Sequence, residues 1–393
     1  MTVVSQKSSR ATVFPVSIAP MMEWSDRHFR AFMRQMTRRT LLYTEMKTTG
    51  AILHGEREKI IGFSDFEKPL VLQIGGDDPA EMAECAKIAE DYGYDEVNIN
   101  VGCPSERVQK GNFGACLMST PDVVAECVSA MRNVVKIPVG VKHRIGIDRQ
   151  QSYEFMANFV EKVVAAGADR ITVHARIAWL KGLNPKENRE VPPLRYEDVH
   201  RLKTDFPDTI VEINGGIKTH TEITAQLPHV DGVMLGRAAY HNPFIFSSMD
   251  QLFFGEKYPA KTRREIVEAM IPYIEEWREN ELFPNRIIRH MFGLFSHQRG
   301  NKAWRRYLSE NAHKPETTGE ILRDAIADIP DGSAGRTPES RRNSVGGSRL
   351  AKKHLDKFDE LSNPNVAPVN EMVENTVFAG AFLLAQKWQL VEL

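Results

Sequence analysis

Four cysteines in 393 residues, none of them in a C-x-x-C pair, leave little from which to build a disulfide framework or a thiolate metal site. Cys85, Cys103, Cys116 and Cys127 therefore argue against a zinc ribbon, a thioredoxin-type motif and a secreted disulfide scaffold, and no metal is expected. Charge of one sign is lacking as well. Lys plus Arg total 51 against 52 Asp plus Glu, and a net charge of −1 sets up no global field for nucleic acid or an acidic membrane. Any polyanionic partner has to be met by a local patch. Long hydrophobic runs are missing too: the longest candidate, 377–385, is about half of the roughly 20 residues needed to cross a bilayer, and Gly380 interrupts it. It is expected to be a terminal helix seeking a groove, with no membrane partner. The first ten residues lack acids and contain Ser, Lys and Arg, as transit peptides do, yet the apolar segment from Val13 leaves too little room for one. A soluble, untargeted, cytoplasmic protein is the expectation, and a monomer.

What is present is a core. With 42% hydrophobic residues, most of the chain is too apolar for disorder. From Val13 to about Phe246, short apolar runs alternate with stretches of helical period. The runs fall at 13–21, 40–48, 69–76, 94–104, 138–146, 168–176, 209–217 and 230–240. Between them stand helix starts such as Asp78-Pro79, ahead of Met82, Cys85, Ala86 and Ala89, and Thr120-Pro121, ahead of Val124, Cys127, Val128 and Met131. Eight such units fit an α/β (β/α)8 TIM barrel, and a doubly wound open sheet is the competitor. The strand ends favour the barrel. Met21, Lys47, Gln73, Asn100 with Cys103, Lys142 with Arg144, His174 with Arg176, Asn214 and Arg237 share a target only if the ends converge on one mouth.

After the barrel, expected over 13–255, the pattern is helical. REIVEAMIPYIEEW, NRIIRHMFGLFSH, NKAWRRYLSE and GEILRDAIADI predict a small C-terminal helical domain over 256–329. Residues 1–12 are expected to be an N-terminal extension, 330–349 a disordered spacer, and 350–393 a tail without an assigned role.

Three groups carry chemistry. NGG at 214–216 and LGR at 235–237 follow the seventh and eighth strands, where barrels commonly hold a phosphate. Glycine lets backbone N–H groups approach the anion, a helix start adds positive potential, and Arg237 can fork onto its oxygens. Gln73, Lys142 and His174 end strands otherwise made of aliphatic residues; singly each is a rim residue, together they suit an isoalloxazine ring. Gln73 can bond the pyrimidine edge and Lys142 can neutralise negative charge beside it, while His174 is left between that edge and the phosphate. Cys103, between Gly102 and Pro104, leaves its strand on a stiff turn and projects toward the mouth. With a reference pKa near 8.5 such a thiol is mostly protonated at neutral pH and can act as a general acid. Cys85 and Cys127, on helical faces, fit a buried structural role better.

APMMEWSDRHFR (19–30), LQIGG (72–76), NINVGCPS (98–105), GNFGACLM (111–118), VKHRIG (141–146), VHAR (173–176), NPKENR (184–189), INGGI (213–217) and MLGRAAYHNPF (234–244) together resemble the flavin-dependent tRNA-dihydrouridine synthases, subfamily A. The resemblance runs in order from about 13 to 328. It implies an FMN-bearing barrel followed by a helical domain, with Pro20, Met21, Met22, Gln73, Lys142, His174, Asn214, Gly215, Gly216, Gly236 and Arg237 lining FMN. It implies further that Asn100, Lys186 and Arg189 hold the target uracil. The implied reaction has NADPH reduce FMN, which passes hydride to C6 of uracil while Cys103 protonates C5, at positions 20 and 20a of the tRNA D-loop.

A stacked uridine has to be extruded to enter a barrel, so the RNA needs a grip outside it. Between Asn285 and Tyr307 lie Arg286, Arg289, Arg299, Lys302, Arg305 and Arg306 without an acid, interleaved with Trp304 and Tyr307. Arg299 is the expected phosphate contact, and the apolar spacing leaves Trp304 open to a core role. RRNSV at 341–345 resembles a basic-directed kinase site at Ser344. Two alternatives remain: a flavin barrel reducing a small pyrimidine, as in dihydroorotate dehydrogenases, and an RNA-binding protein without the reaction.

Overall fold

The computed structural model describes residues 11–327 and residue 329, and these lie within one compact unit. The expected spacer, the tail, Ser344 and the first ten residues lie outside the described residues.

Nine strands form one wholly parallel sheet: β1 (Val16–Ile18), β2 (Leu42–Tyr43), β3 (Lys47–Thr48), β4 (Leu70–Gly75), β5 (Glu96–Val101), β6 (Val139–Arg144), β7 (Arg170–His174), β8 (Ile210–Asn214) and β9 (Gly232–Leu235). Their order is β1-β9-β8-β7-β6-β5-β4-β2, with β3 also on β4. The run at 40–48 thus supplies two short pieces of one barrel position, since residues 44–46 leave the ladder between them. Closure comes from Ser17 bridging Leu41, where Ile18 N donates to Leu41 O at 2.9 Å and Leu41 N to Val16 O at 3.3 Å. The sheet has no free edge, and the fold is the (β/α)8 barrel.

The strands are apolar on their outer parity because each outer side chain meets a helix. Val97, Ile99, Val141, Ile171, Val173, Val211 and Ile213 are fully or almost fully buried this way. The helix Pro79–Tyr92 shows the supporting chemistry: the Asp78 carboxylate accepts from Ala80 N and Glu81 N, proline opens the first turn, and Gly93 ends it at φ +88°. It buries Met82, Cys85, Ala86, Ile88 and Ala89. Helix Pro121–Val134 buries Val124, Cys127, Val128 and Met131, but the Thr120 side chain makes no cap bond to it. Burial pushes the Cys85 and Cys127 thiols up to about 12, leaving both as inert core groups.

Helices Arg263–Glu279, Asn301–Asn311 and Ile321–Ile326 follow the barrel. The segment expected to be one helix from 285 is instead a four-residue helix, Asn285–Ile288, running into a 3-10 turn, Arg289–Met291, and irregular backbone. Within the irregular part Gly293 lets the chain pass close to Tyr240, where a Cβ would stand 2.6 Å from Tyr240 O. Trp304 is fully buried, with Nε1 donating to Met291 O at 3.2 Å and its ring against Phe295. It belongs to the core and offers no face to RNA. These helices share one contiguous apolar core with the barrel.

Candidate functional site at the barrel mouth

Strand alternation puts Gln73, Asn98, Asn100, Lys142, Arg144, Thr172, His174, Glu212, Asn214 and Met234 on the inner parity, and their C-terminal members form the mouth. A chain of amides crosses it. Gln73 Nε2 donates to Asn98 Oδ1 at 2.8 Å, and Asn100 Nδ2 donates to Gln73 Oε1 at 2.8 Å. Asn100 Oδ1 in turn accepts from the backbone N–H of Gly102 at 3.2 Å and of Cys103 at 3.0 Å. The turn bearing Cys103 is therefore fixed to two strands. Its carbonyl is held by Ala115 N at 2.9 Å, and Cys103 Sγ lies 3.7 Å from Ser105 Oγ, partly open to solvent.

Beside the thiol stands a group of cations. Lys142 Nζ donates to Asn214 Oδ1 at 3.2 Å, while Asn214 Nδ2 donates to Met234 O at 2.7 Å. Arg144 is buried and bonds only backbone carbonyls: Gly102 O at 3.1 Å, Asn188 O at 3.1 Å and Ile177 O at 3.4 Å. Arg176 bonds Pro192 O, and Arg237 bonds Arg189 O at 3.1 Å and the Glu190 carboxylate at 2.5 Å. The Nε atoms of Arg176 and Arg189 are buried and donate to no group among the described residues.

Lys142, Arg144, Arg176, Arg189 and Arg237 thus gather here; Glu190 pairs with Arg237 and also acts on Arg176 and Arg189, while Glu212 in the layer below acts on Lys142. Burial, then Arg144, pulls the Lys142 ammonium down to about 7. Burial, then Arg144 and its cationic neighbours, drives His174 well below the usual imidazole range, so it serves as a neutral hydrogen-bonding ring. An anion placed here would oppose both shifts.

Gly215 at φ +123° and Gly216 at φ +74° occupy the left-handed region, and side chains there would strike His174, Leu194 or Tyr196. Tyr196 OH donates to Gly215 O at 2.6 Å and holds this turn. The helix after Gly236 spans only five residues, Arg237–His241, so anion attraction rests on arginines and backbone N–H groups. Met21 accepts from Trp24 N and Ser25 N and packs on the small inner cluster of Ala19, Leu41, Tyr43, Val71 and Met234. Pro20 is partly buried, and Met22 is 56% exposed.

The mouth thus gathers Gln73, Asn100, Cys103, Lys142, His174, Asn214, Gly215, Gly216, Arg189 and Arg237. Lys186 lies exposed on the loop before Arg189, and Arg299 is exposed and makes no hydrogen bond or ion pair with the mouth. Sequence reasoning passed over Arg144, Arg176 and Asn98 as site residues. All three were within reach, because each stands two positions along a strand or its extension from a residue singled out, on the same parity.

These residues fit FMN. A flat polar ring needs amide donors and acceptors such as Gln73 and Asn214, and its phosphate needs unpaired guanidinium N–H groups beside a left-handed glycine turn.

A family model for dihydrouridine synthase (Dus) matches residues 17–329. A Synechocystis protein named tRNA-dihydrouridine(20/20a) synthase is 56% identical over 316 residues, covering 80% of this chain and 95% of its own. Proteins of that name from Vibrio parahaemolyticus and Escherichia coli are 54% and 53% identical, the matches covering 80% and 81% of this chain and 97% and 98% of theirs. Among solved structures, a 2-naphthoyl-CoA reductase complex is similar with a TM-score of 0.48 and 9% identity, over 63% of this chain and 52% of that one.

Proposed function

The chain belongs to the dihydrouridine synthase family, and on that premise we propose that it is an oxidoreductase reducing uridines at positions 20 and 20a of the tRNA D-loop to 5,6-dihydrouridine, with FMN as cofactor and NADPH as electron donor. The observation that carries the reading is the fixed Cys103 turn beside a mouth of cations, of which only Arg237 is ion-paired to a carboxylate among the described residues. FMN, when bound, would supply a two-electron hydride carrier between NADPH and C6 of uracil.

The chain's own residues do the rest. Gln73 presents the amide edge left over from its bonds to Asn98 and Asn100 to the pyrimidine side of the ring. Lys142, poised near 7 and held by Asn214, gains a full charge as negative charge develops beside it. Gly215, Gly216, Gly236, Arg176 and Arg237 hold the phosphate, while Pro20, Met21 and Met22 border the ring. Asn100, Arg144, Arg189 and Lys186 orient the uracil. Hydride addition at C6 leaves an enolate that reverts unless C5 is protonated, and Cys103 delivers that proton.

The test is anaerobic. Flavin bound to the purified protein is reduced with NADPH, excess donor is removed, unmodified tRNA is added, and the return of the oxidised band is followed. Reoxidation by tRNA and by neither free uridine nor orotate is the expected result. Reoxidation by orotate alone overturns the tRNA reading, and failure to bind FMN overturns the assignments at Gln73, Lys142, Asn214 and Arg237 together.

A further inference from the structure

The helical region carries a groove of about 400 Å³ that the barrel chemistry does not use. Its floor is apolar, with Ile288, Phe292 and Leu308, and its rim carries Phe283, Arg286 and Arg289. The volume lies within the roughly 300–1,000 Å³ typical of small-ligand sites. Phe283 is 61% exposed, a hydration cost that a ring stacked on it would relieve. The floor is stiff, because Ile288 and Leu308 are fully buried and Trp304 ties helix Asn301–Asn311 to Met291 O from below.

Charge selects the occupant. No lining residue is acidic, two are arginines, and the adjoining helix exposes Lys302, Arg305 and Arg306. An apolar peptide or acyl chain would use the floor and leave these cations idle, whereas a nucleotide uses both, its base on the aromatic rings and its phosphate on the guanidinium groups. The groove also adjoins the barrel mouth. Arg289 donates to Glu23 O, in the left-handed residue that follows Pro20–Met22, and Tyr240 OH donates to Arg289 O at 3.4 Å.

We propose that this groove binds a second, unstacked nucleotide of the tRNA, distinct from the uridine that enters the barrel. Its base lies against Phe283 and Phe292, and its phosphate lies on Arg286 and Arg289. The inference rests on the tRNA reading above. Through Arg289 the same contact steadies the loop that borders the flavin ring.

The full-length chain tests it with unmodified tRNA, binding being measured across a salt series. Phe283→Ala is expected to weaken binding about 5- to 100-fold with an unchanged salt slope, because a stacking partner is lost and no charge. Phe283→Trp restores affinity. Arg286→Ala is expected to lower the slope by about one. A photo-crosslinking residue at 283 is expected to label one nucleotide outside positions 20 and 20a. Binding within about twofold of wild type for Phe283→Ala, or labelling at 20 and 20a, overturns the proposal. Failure of the unsubstituted protein to bind tRNA overturns it together with the tRNA reading, and is told apart because it precedes any substitution.

Discussion

The lower and upper halves of the barrel interior carry similar numbers of charged side chains and treat them oppositely. Below, Arg170 Nε donates to both oxygens of Glu96 at 3.1 Å, and its NH2 reaches Thr12 O at 2.7 Å. Glu212 accepts from Ser17 and, at 2.7 Å, from Thr172. Gly140 makes room for this layer, since a Cβ there would stand 2.7 Å from Glu96 Oε1. Two to four residues further along the same strands, Lys142, Arg144 and His174 have amides and carbonyls for company and no carboxylate bonded to them among the described residues. The lower layer pairs its charges with one another and serves the fold. The upper layer leaves its cations without such pairing, which suits the phosphorylated cofactor and tRNA proposed above.

Substitutions separate the two halves. The largest effect is expected at Cys103: Cys103→Ala should lower dihydrouridine formation about 10²- to 10⁴-fold, the usual worth of a general acid, with tRNA affinity unchanged. Single-turnover formation measured beside a binding titration checks this, and intact turnover would remove Cys103 from the acid role. Next, in the lower half, Arg170→Met strands Glu96 and should cost about 3–5 kcal/mol of stability, read by urea unfolding. A loss well under 1 kcal/mol would show that this layer is not paired as described.

Lys142→Met should do the reverse. Burial lowers the Lys142 pKa from 10.5 to about 7, so between those values the unfolded chain holds a proton that the folded one has shed, and stability rises with pH across that window. Below pH 7 the full penalty of a buried charge is present. In protein without bound flavin, the variant is therefore expected to melt roughly 2–4 °C higher at pH 6, with the gain fading toward pH 10. A constant difference across that range would exclude the titration. Smallest is Arg237→Ala: its ion pair with Glu190 is about one-third exposed, so unfolding should shift by no more than about 1 kcal/mol while FMN affinity falls about tenfold.

Much of this was legible in the sequence. The eight apolar runs sit where the barrel strands form, and Gly215 and Gly216, just past the end of β8, stand in the left-handed region, whereas Gly236 after β9 does not. What escaped has identifiable causes. Glu96, Arg170 and Glu212 lie in runs that look apolar on average, and only strict alternation shows that these charges face inward together. Arg144 was visible as a strand-end residue, but its burial depends on carbonyls from Gly102, Ile177 and Asn188, three separate loops that no local pattern joins. The segment from 285 has helical spacing along most of its length, yet the α-helix ends at Ile288, and the close approach of Gly293 to Tyr240, distant in sequence, has no local signal. The apolar spacing at 304 was a truer guide than the surrounding arginines.

The amide chain from Asn98 through Gln73 to Asn100 has a further consequence. Each amide has two faces of equal shape and opposite polarity, so the row as a whole has two possible senses and stores a single binary choice. A backbone N–H cannot be turned over, and those of Gly102 and Cys103 can only donate, so they make the choice for all three side chains. The turn that bears Cys103 therefore dictates, on the neighbouring strand, which edge Gln73 presents to the mouth.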